Sequence, residues 1–76
     1  MNETPTKTEP TLGELRVRTS FNPANNSDVD TIKQKAAELI NLIDLLPTAD
    51  RRLVALACTD IESGAMWAVK AATSAK

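Results

Sequence analysis

Between Ser27 and the end of the chain there is one proline, Pro47, and it parts two long stretches whose apolar residues recur at helical spacing. Upstream the repeat runs Val29, Ile32, Ala36, Leu39, Ile40, Ile43 and Leu46; downstream it runs Leu53, Val54, Ala57, Ile61, Gly64, Ala65, Ala68 and Ala72. Proline removes a backbone donor and clashes with the preceding turn, so Pro47 ends the first helix or opens the turn after it. So short a connection makes the two helices antiparallel neighbours. The spacing therefore predicts an all-α fold, a two-helix hairpin with helices over about 27–46 and 50–73. Ser27 is placed to cap the first helix, with Asp28 and Asp30 suiting its positive end, and Thr48-Ala49-Asp50 to cap the second. Most of the second stripe is small, which lets that helix pack closely against its neighbour.

Ahead of the hairpin the pattern changes. Residues 1–12, rich in Asn, Glu, Thr, Pro and Lys, lack the apolar content to fold alone and are expected to be a disordered leader. From Leu15 to Ser20 apolar and polar residues alternate, so an extended N-terminal arm is expected, with Arg16 and Arg18 on one side of it. Asn22-Pro23 stops that arm, because a residue before proline is pushed away from the helical region, and 22–27 reads as a turn. The arm and hairpin together form one domain over 13–76.

At 76 residues the chain can bury only roughly 60% of its unfolded surface. One cysteine, Cys58, rules out an intrachain disulfide, and the lack of histidine leaves no ligand set for structural zinc. Copies of the chain itself are the simplest remaining source of stability, so a homo-oligomer is expected. Leu42 and Leu45, off the main stripe of the first helix, form a second apolar patch that fits such a contact, though single exposed leucines are also common. A net charge of −1 argues against binding long nucleic acid. The polar first residues do not resemble a signal peptide and no apolar run is long enough to span a bilayer, so a soluble, cytoplasmic protein without membrane partners is expected.

Catalysis is not expected. There is no histidine base, Cys58 lies on an apolar helix face where a thiol is inert packing, and the carboxylates are scattered. With Gly13 and Gly64 alone there is no glycine-rich phosphate loop, and no cofactor or metal is implied. Binding is better supplied. Arg16 and Arg18 offer two planar donor forks for phosphate or carboxylate, and Phe21 beside them can stack on a base or plug a core. Lys33 and Lys35 flank the first helical stripe. On the outer face of the second helix Arg52, Leu56, Thr59, Ser63, Met66, Trp67 and Lys70 fall together. Cations and hydroxyls there suit phosphates and the indole suits a base, yet the same set fits an oligomer interface with a polar rim.

Gly13-x-Leu15-Arg16-Val17-Arg18-Thr19-Ser20-Phe21-Asn22-Pro23, then Val29-x-x-Ile32-Lys33, Ala37-x-Leu39-Ile40 and Met66-Trp67-Ala68-Val69-Lys70-Ala71, resemble the phage anti-CBASS sponge family. That family shares a helical-hairpin domain with the phage anti-Thoeris sponges, and the resemblance covers Gly13 to Thr73. It implies a homohexamer that binds cyclic oligonucleotide messengers without cleaving them, in the host cell cytoplasm, and so starves an immune effector of its activator. Cyclic dinucleotides are the implied ligands, in pockets between protomers, with cyclic trinucleotides at separate sites in some members. Members commonly stack a base on an aromatic; this chain has no tyrosine, which leaves Phe21 or Trp67 for that role. The candidate ligand residues are Arg16, Arg18, Phe21, Asn22, Pro23, Lys33, Lys35, Trp67 and Lys70, with Arg52, Thr59 and Ser63 for a second site or the interface. The rival expectation is a hairpin that only oligomerises or docks another protein.

Overall fold

The computed structural model describes residues 9–23 and 25–74, so most of the expected leader lies outside the described residues. Three helices follow one another: α1 (Leu12–Val17), α2 (Ser27–Asp44) and α3 (Arg51–Thr73). All the regular structure in the described residues is helical, and α2 and α3 form the expected hairpin. None of these helices is long and apolar enough to cross a membrane.

The extended arm is not what the chain forms; Leu12–Val17 is a helix. The physical reason is the local sequence Thr11-Leu12-Gly13-Glu14, a Thr-x-x-Glu capping box. The Glu14 amide donates to Thr11 Oγ1 at 3.2 Å, and the Thr11 amide donates to Glu14 Oε1 at 2.8 Å. With helical rather than strand periodicity, Gly13 and Val17 share the buried face while Leu15 is exposed. Arg18 ends α1 in the left-handed region, at φ 57°, with its amide donating to the Glu14 carbonyl. Thr11 is thus the cap of α1 and Leu12 its first helical residue.

Gly13 is what lets α1 lie on α2. A Cβ built there would stand 2.1 Å from the Ala37 carbonyl oxygen, inside the backbone of α2. Asn41 of α2 fixes the same end of α1: its Oδ1 accepts from the Gly13 amide at 2.8 Å, and its Nδ2 donates to Thr11 Oγ1 at 3.1 Å.

The caps of the hairpin differ slightly from those read in the sequence. Asn26, one residue before the expected Ser27, caps α2, its Oδ1 accepting from the Asp28 and Val29 amides. Asp50 caps α3, accepting from the Leu53 amide. α2 stops at Asp44, two residues short of the expectation, and Arg51 of α3 donates to the Asp44 and Leu46 carbonyls at that end. A cation there satisfies orphan carbonyls and opposes the negative end of the helix dipole.

The buried core is Val17, Ala37, Ile40, Val54, Cys58 and Ala65, with Ile32, Ala36, Ile43 and Ile61 packed against it. Two changes from the expected stripes matter. On α2 the buried face is turned toward Lys33 and Ala37, leaving Leu39 exposed, because α1 and α3 together cover more of that helix than α3 alone would; Leu46, past the helix end, is exposed as well. On α3 Leu53 is exposed and Gly64 faces open space, while Cys58 takes a central place, its thiol donating to the Ile40 carbonyl at 3.9 Å.

The two glycines should respond in opposite ways. Gly13→Ala must push α1 off α2 and should destabilise the protein by about 1–3 kcal/mol, in the range of core overpacking. Gly64→Ala meets nothing within 4 Å and removes a weak helix former, so it should stabilise by about 0.5–1 kcal/mol. Chemical denaturation of both variants checks the contrast; equal effects would dismiss the close-approach role of Gly13.

Candidate functional site

Docking α1 across the hairpin creates a groove between α1, the turn after it, α2 and the second half of α3. Its walls are Arg16, Val17, Arg18, Phe21, Lys33, Glu62, Ala65, Met66, Val69, Lys70 and Thr73, and its volume is about 540 Å³. That lies within the usual range for small-molecule sites, roughly 300–1,000 Å³. Four cations and one carboxylate line it over a partly apolar floor. A second hollow of about 590 Å³ lies on the far side of Arg18 and Phe21, lined also by Glu9, Pro10, Glu14, Leu15, Thr19 and Ser20. Its two carboxylates make it the poorer seat for an anion.

The turn Arg18–Phe21 forms the wall between the two hollows. The Phe21 amide donates to the Arg18 carbonyl at 2.9 Å, closing the turn. The Lys33 ammonium lies beneath it and donates to the Arg18 carbonyl at 3.0 Å and to the Phe21 carbonyl. The Phe21 ring is left more than half exposed, with the Arg18 guanidinium carbon 5.2 Å and Lys33 Nζ 5.3 Å from its centroid. Lys33 itself is only 6% exposed. Burial, then the positive charge of Arg18, push its pKa below the ordinary 10.5, against a smaller opposite pull from Asp30.

Arg16 is held from α3. Its Nε donates to Glu62 Oε1 at 2.6 Å and its Nη2 to Thr59 Oγ1 at 3.1 Å. On the far wall Lys70 Nζ stands 5.5 Å from the centroid of the Trp67 ring. Trp67 is largely exposed and lies outside the groove lining.

The structure thus brings together Arg16, Arg18, Phe21, Lys33 and Lys70 from four separate parts of the chain. Thr59 joins them indirectly, through Arg16. Asn22 is occupied locally: its Nδ2 donates to the Asn26 carbonyl and to Asp30 Oδ1, and its Oδ1 accepts from the Asn26 amide, bracing the turn that starts α2. Pro23, Lys35, Arg52 and Ser63 are exposed and outside the groove lining. Val17, Glu62, Ala65, Met66, Val69 and Thr73 complete the walls, and of these only Met66 belongs to the outer α3 face that the sequence offers as a ligand site or an interface. The helical spacing of the α3 residues was legible; which of several α3 faces carries a groove depends on where α1 crosses.

No cluster of His, Cys, Asp or Glu among the described residues could hold a metal ion. The groove's chemistry is that of binding: guanidinium and ammonium groups for an anion, an exposed ring for a flat apolar partner. A family model described as Acb2/Tad1, hairpin domain, matches residues 13–73, most of the chain. No curated protein and no solved structure matches it.

Burial of Lys33 has a definite sign in stability. Its folded pKa is below its unfolded one, so below both values the fold carries the cost of a buried charge. That cost is relieved as pH rises through the folded pKa toward 10.5, so Lys33 favours folding increasingly over that window. The neutral amine still has N–H groups for both carbonyls. Unfolding free energies of the wild type minus those of Lys33→Met should therefore climb from neutral pH to 10.5; a flat or falling difference would show the ammonium to be solvated.

Proposed function

We propose that the chain, which belongs to the Acb2/Tad1 hairpin-domain family of phage anti-CBASS and anti-Thoeris sponges, sequesters cyclic dinucleotides without cleaving them. The observation that carries the reading is the meeting of Arg16, Arg18, Phe21, Lys33 and Lys70 on one groove. A cyclic dinucleotide presents two phosphates and two bases. In this reading Arg16, Arg18 and Lys70 meet phosphate, Phe21 stacks a base, and Glu62 and Thr59 hold Arg16 in place. Charge-assisted bonds to phosphate contribute roughly 1.5–3 kcal/mol each and a stacked base roughly 1–3 kcal/mol. Sequestration needs nothing more than this, because a bound messenger is withheld from its effector by mass action in the host cytoplasm.

The second part of the proposal is assembly into a closed homo-oligomer, a hexamer by family resemblance. Leu42, Leu45, Leu56, Met66 and Trp67 stand exposed on the protomer, with Leu45 at 79% and Trp67 at 67%. Large apolar groups left in water together mark interfaces. A neighbouring protomer laid across the groove would enclose it further. Arg52 and Ser63, outside the groove, are assigned to the interface or to a separate site for cyclic trinucleotides. The same exposed leucines also suit a hairpin that only assembles or docks a protein, and ligand binding separates the two readings.

Calorimetric titration with a panel of cyclic di- and trinucleotides is the test, with light scattering on the same sample. Binding at a fixed number of sites per oligomer is expected, and saturating ligand at about 100 times Kd should add about 2.7 kcal/mol of stability. Phe21→Ala should weaken binding at least about tenfold, which is 1.4 kcal/mol, while the oligomer stays intact. Silent titrations across the whole panel would leave the assembly module standing, and a monomeric mass at micromolar concentration would remove the assembly.

A further inference from the structure

The exposed ring of Phe21 needs something to hold its turn in place, since Arg18 already sits in the left-handed region, where non-glycine residues are uncommon. The turn's own amide-to-carbonyl bond closes it but does not attach it to the hairpin. The attachment comes from Lys33 of α2. Its ammonium takes the carbonyls at both ends of the turn, Arg18 and Phe21, and stands under the Phe21 ring.

We infer that Lys33 is a positioning residue of the groove, which fixes the Arg18–Phe21 turn and acts on a bound nucleotide through Arg18 and Phe21 rather than by touching phosphate. This rests on the sponge reading for the ligand, but the mechanical part stands on the contacts alone. An ammonium has three donors, and two are spent on backbone. The side chain is 6% exposed, whereas Arg18 and Lys70 reach the groove from exposed positions. Buried polar groups hold a unique geometry when they are bonded, and removing one partner leaves the others unsatisfied. Without Lys33, the Phe21 carbonyl loses its ammonium donor and the Arg18 carbonyl keeps only the Phe21 amide, the Phe21 ring loses its underlying cation, and the left-handed Arg18 loses its tether to α2. The charged neighbours are Arg18, whose repulsion makes the ammonium easier to deprotonate, and Asp30, which opposes that.

A double-mutant cycle on the assembled protein distinguishes positioning from direct contact. Cyclic diguanylate, cyclic diadenylate and cyclic diuridylate serve as probes, and the best bound of them is carried through Lys33→Met, Phe21→Ala and the double variant. Lys33→Met alone is expected to cost at least about tenfold, and less than about threefold once Phe21 is already alanine, since residues acting as one unit are non-additive. The full tenfold loss repeated in the Phe21→Ala background would overturn the inference in favour of a phosphate contact. Amide hydrogen exchange without ligand gives the second reading: Thr19 to Phe21 should lose protection in Lys33→Met while Ile40 and Cys58 keep theirs. Unchanged exchange in the turn, or collapse of the whole hairpin in both Lys33→Met and Lys33→Gln, would also overturn it. Should the wild type bind none of the probes, the sponge reading fails, and the exchange result still decides the role of Lys33 in the turn.

Discussion

The contact on which the structure depends is the approach of Gly13 to the Ala37 carbonyl. It is a contact between backbones, and any side chain at residue 13 would forbid it. Because α1 is only six residues long, it has little helical stability of its own and must be held by what it touches. The Thr11–Glu14 capping box closes its first turn, Asn41 pins that end to α2, and Val17 enters the core one turn later. Everything that makes a groove follows from this placement. Arg16 is carried to within reach of Thr59 and Glu62 on α3, and Arg18 and Phe21 are brought over Lys33.

Electrostatics in this protein is local. The chain as a whole carries a net charge of −1, yet one groove gathers four cations against a single carboxylate. That carboxylate, Glu62, does not cancel the field so much as direct it, since it takes the Nε–H of Arg16 and leaves the rest of the fork turned elsewhere. Lys33 is the other side of the same economy of charge. It is the only buried charged or polar residue among those described, and its two backbone partners set where the Phe21 ring stands.

A chain of this size shows the limits of a small core. Its fully buried side chains are modest, Ile40 and Cys58 the largest of them, while leucines, a methionine and a tryptophan lie in water. The exposed set includes Leu42, Leu45, Leu56 and Trp67, and Met66 on the groove wall. An assembly that covers these groups would supply the burial that a lone hairpin lacks, and would enclose the groove in the same step.

The hairpin was legible in the sequence because helical periodicity and proline are local signals, and both survived into α2 and α3 to within two residues at their ends. The candidate groove residues Arg16, Arg18, Phe21, Lys33 and Lys70 were also legible as types, since each carries a charge suited to an anion or a ring suited to a flat apolar partner. The short helix α1 has the sequence pattern of an extended arm, although Thr11 and Glu14 stand at capping-box spacing, because alternation over a few residues mimics a strand when a glycine interrupts the helical pattern. Three things belonged to the tertiary structure alone. The buried face of α2 turned toward Lys33 and Ala37 because two helices cover it rather than one. The face of α3 that lines the groove was chosen by where α1 crosses it. And Lys33, a flanking cation by sequence, became a buried strut because carbonyls 12 and 15 residues away in the chain close around its ammonium, a contact no local pattern encodes.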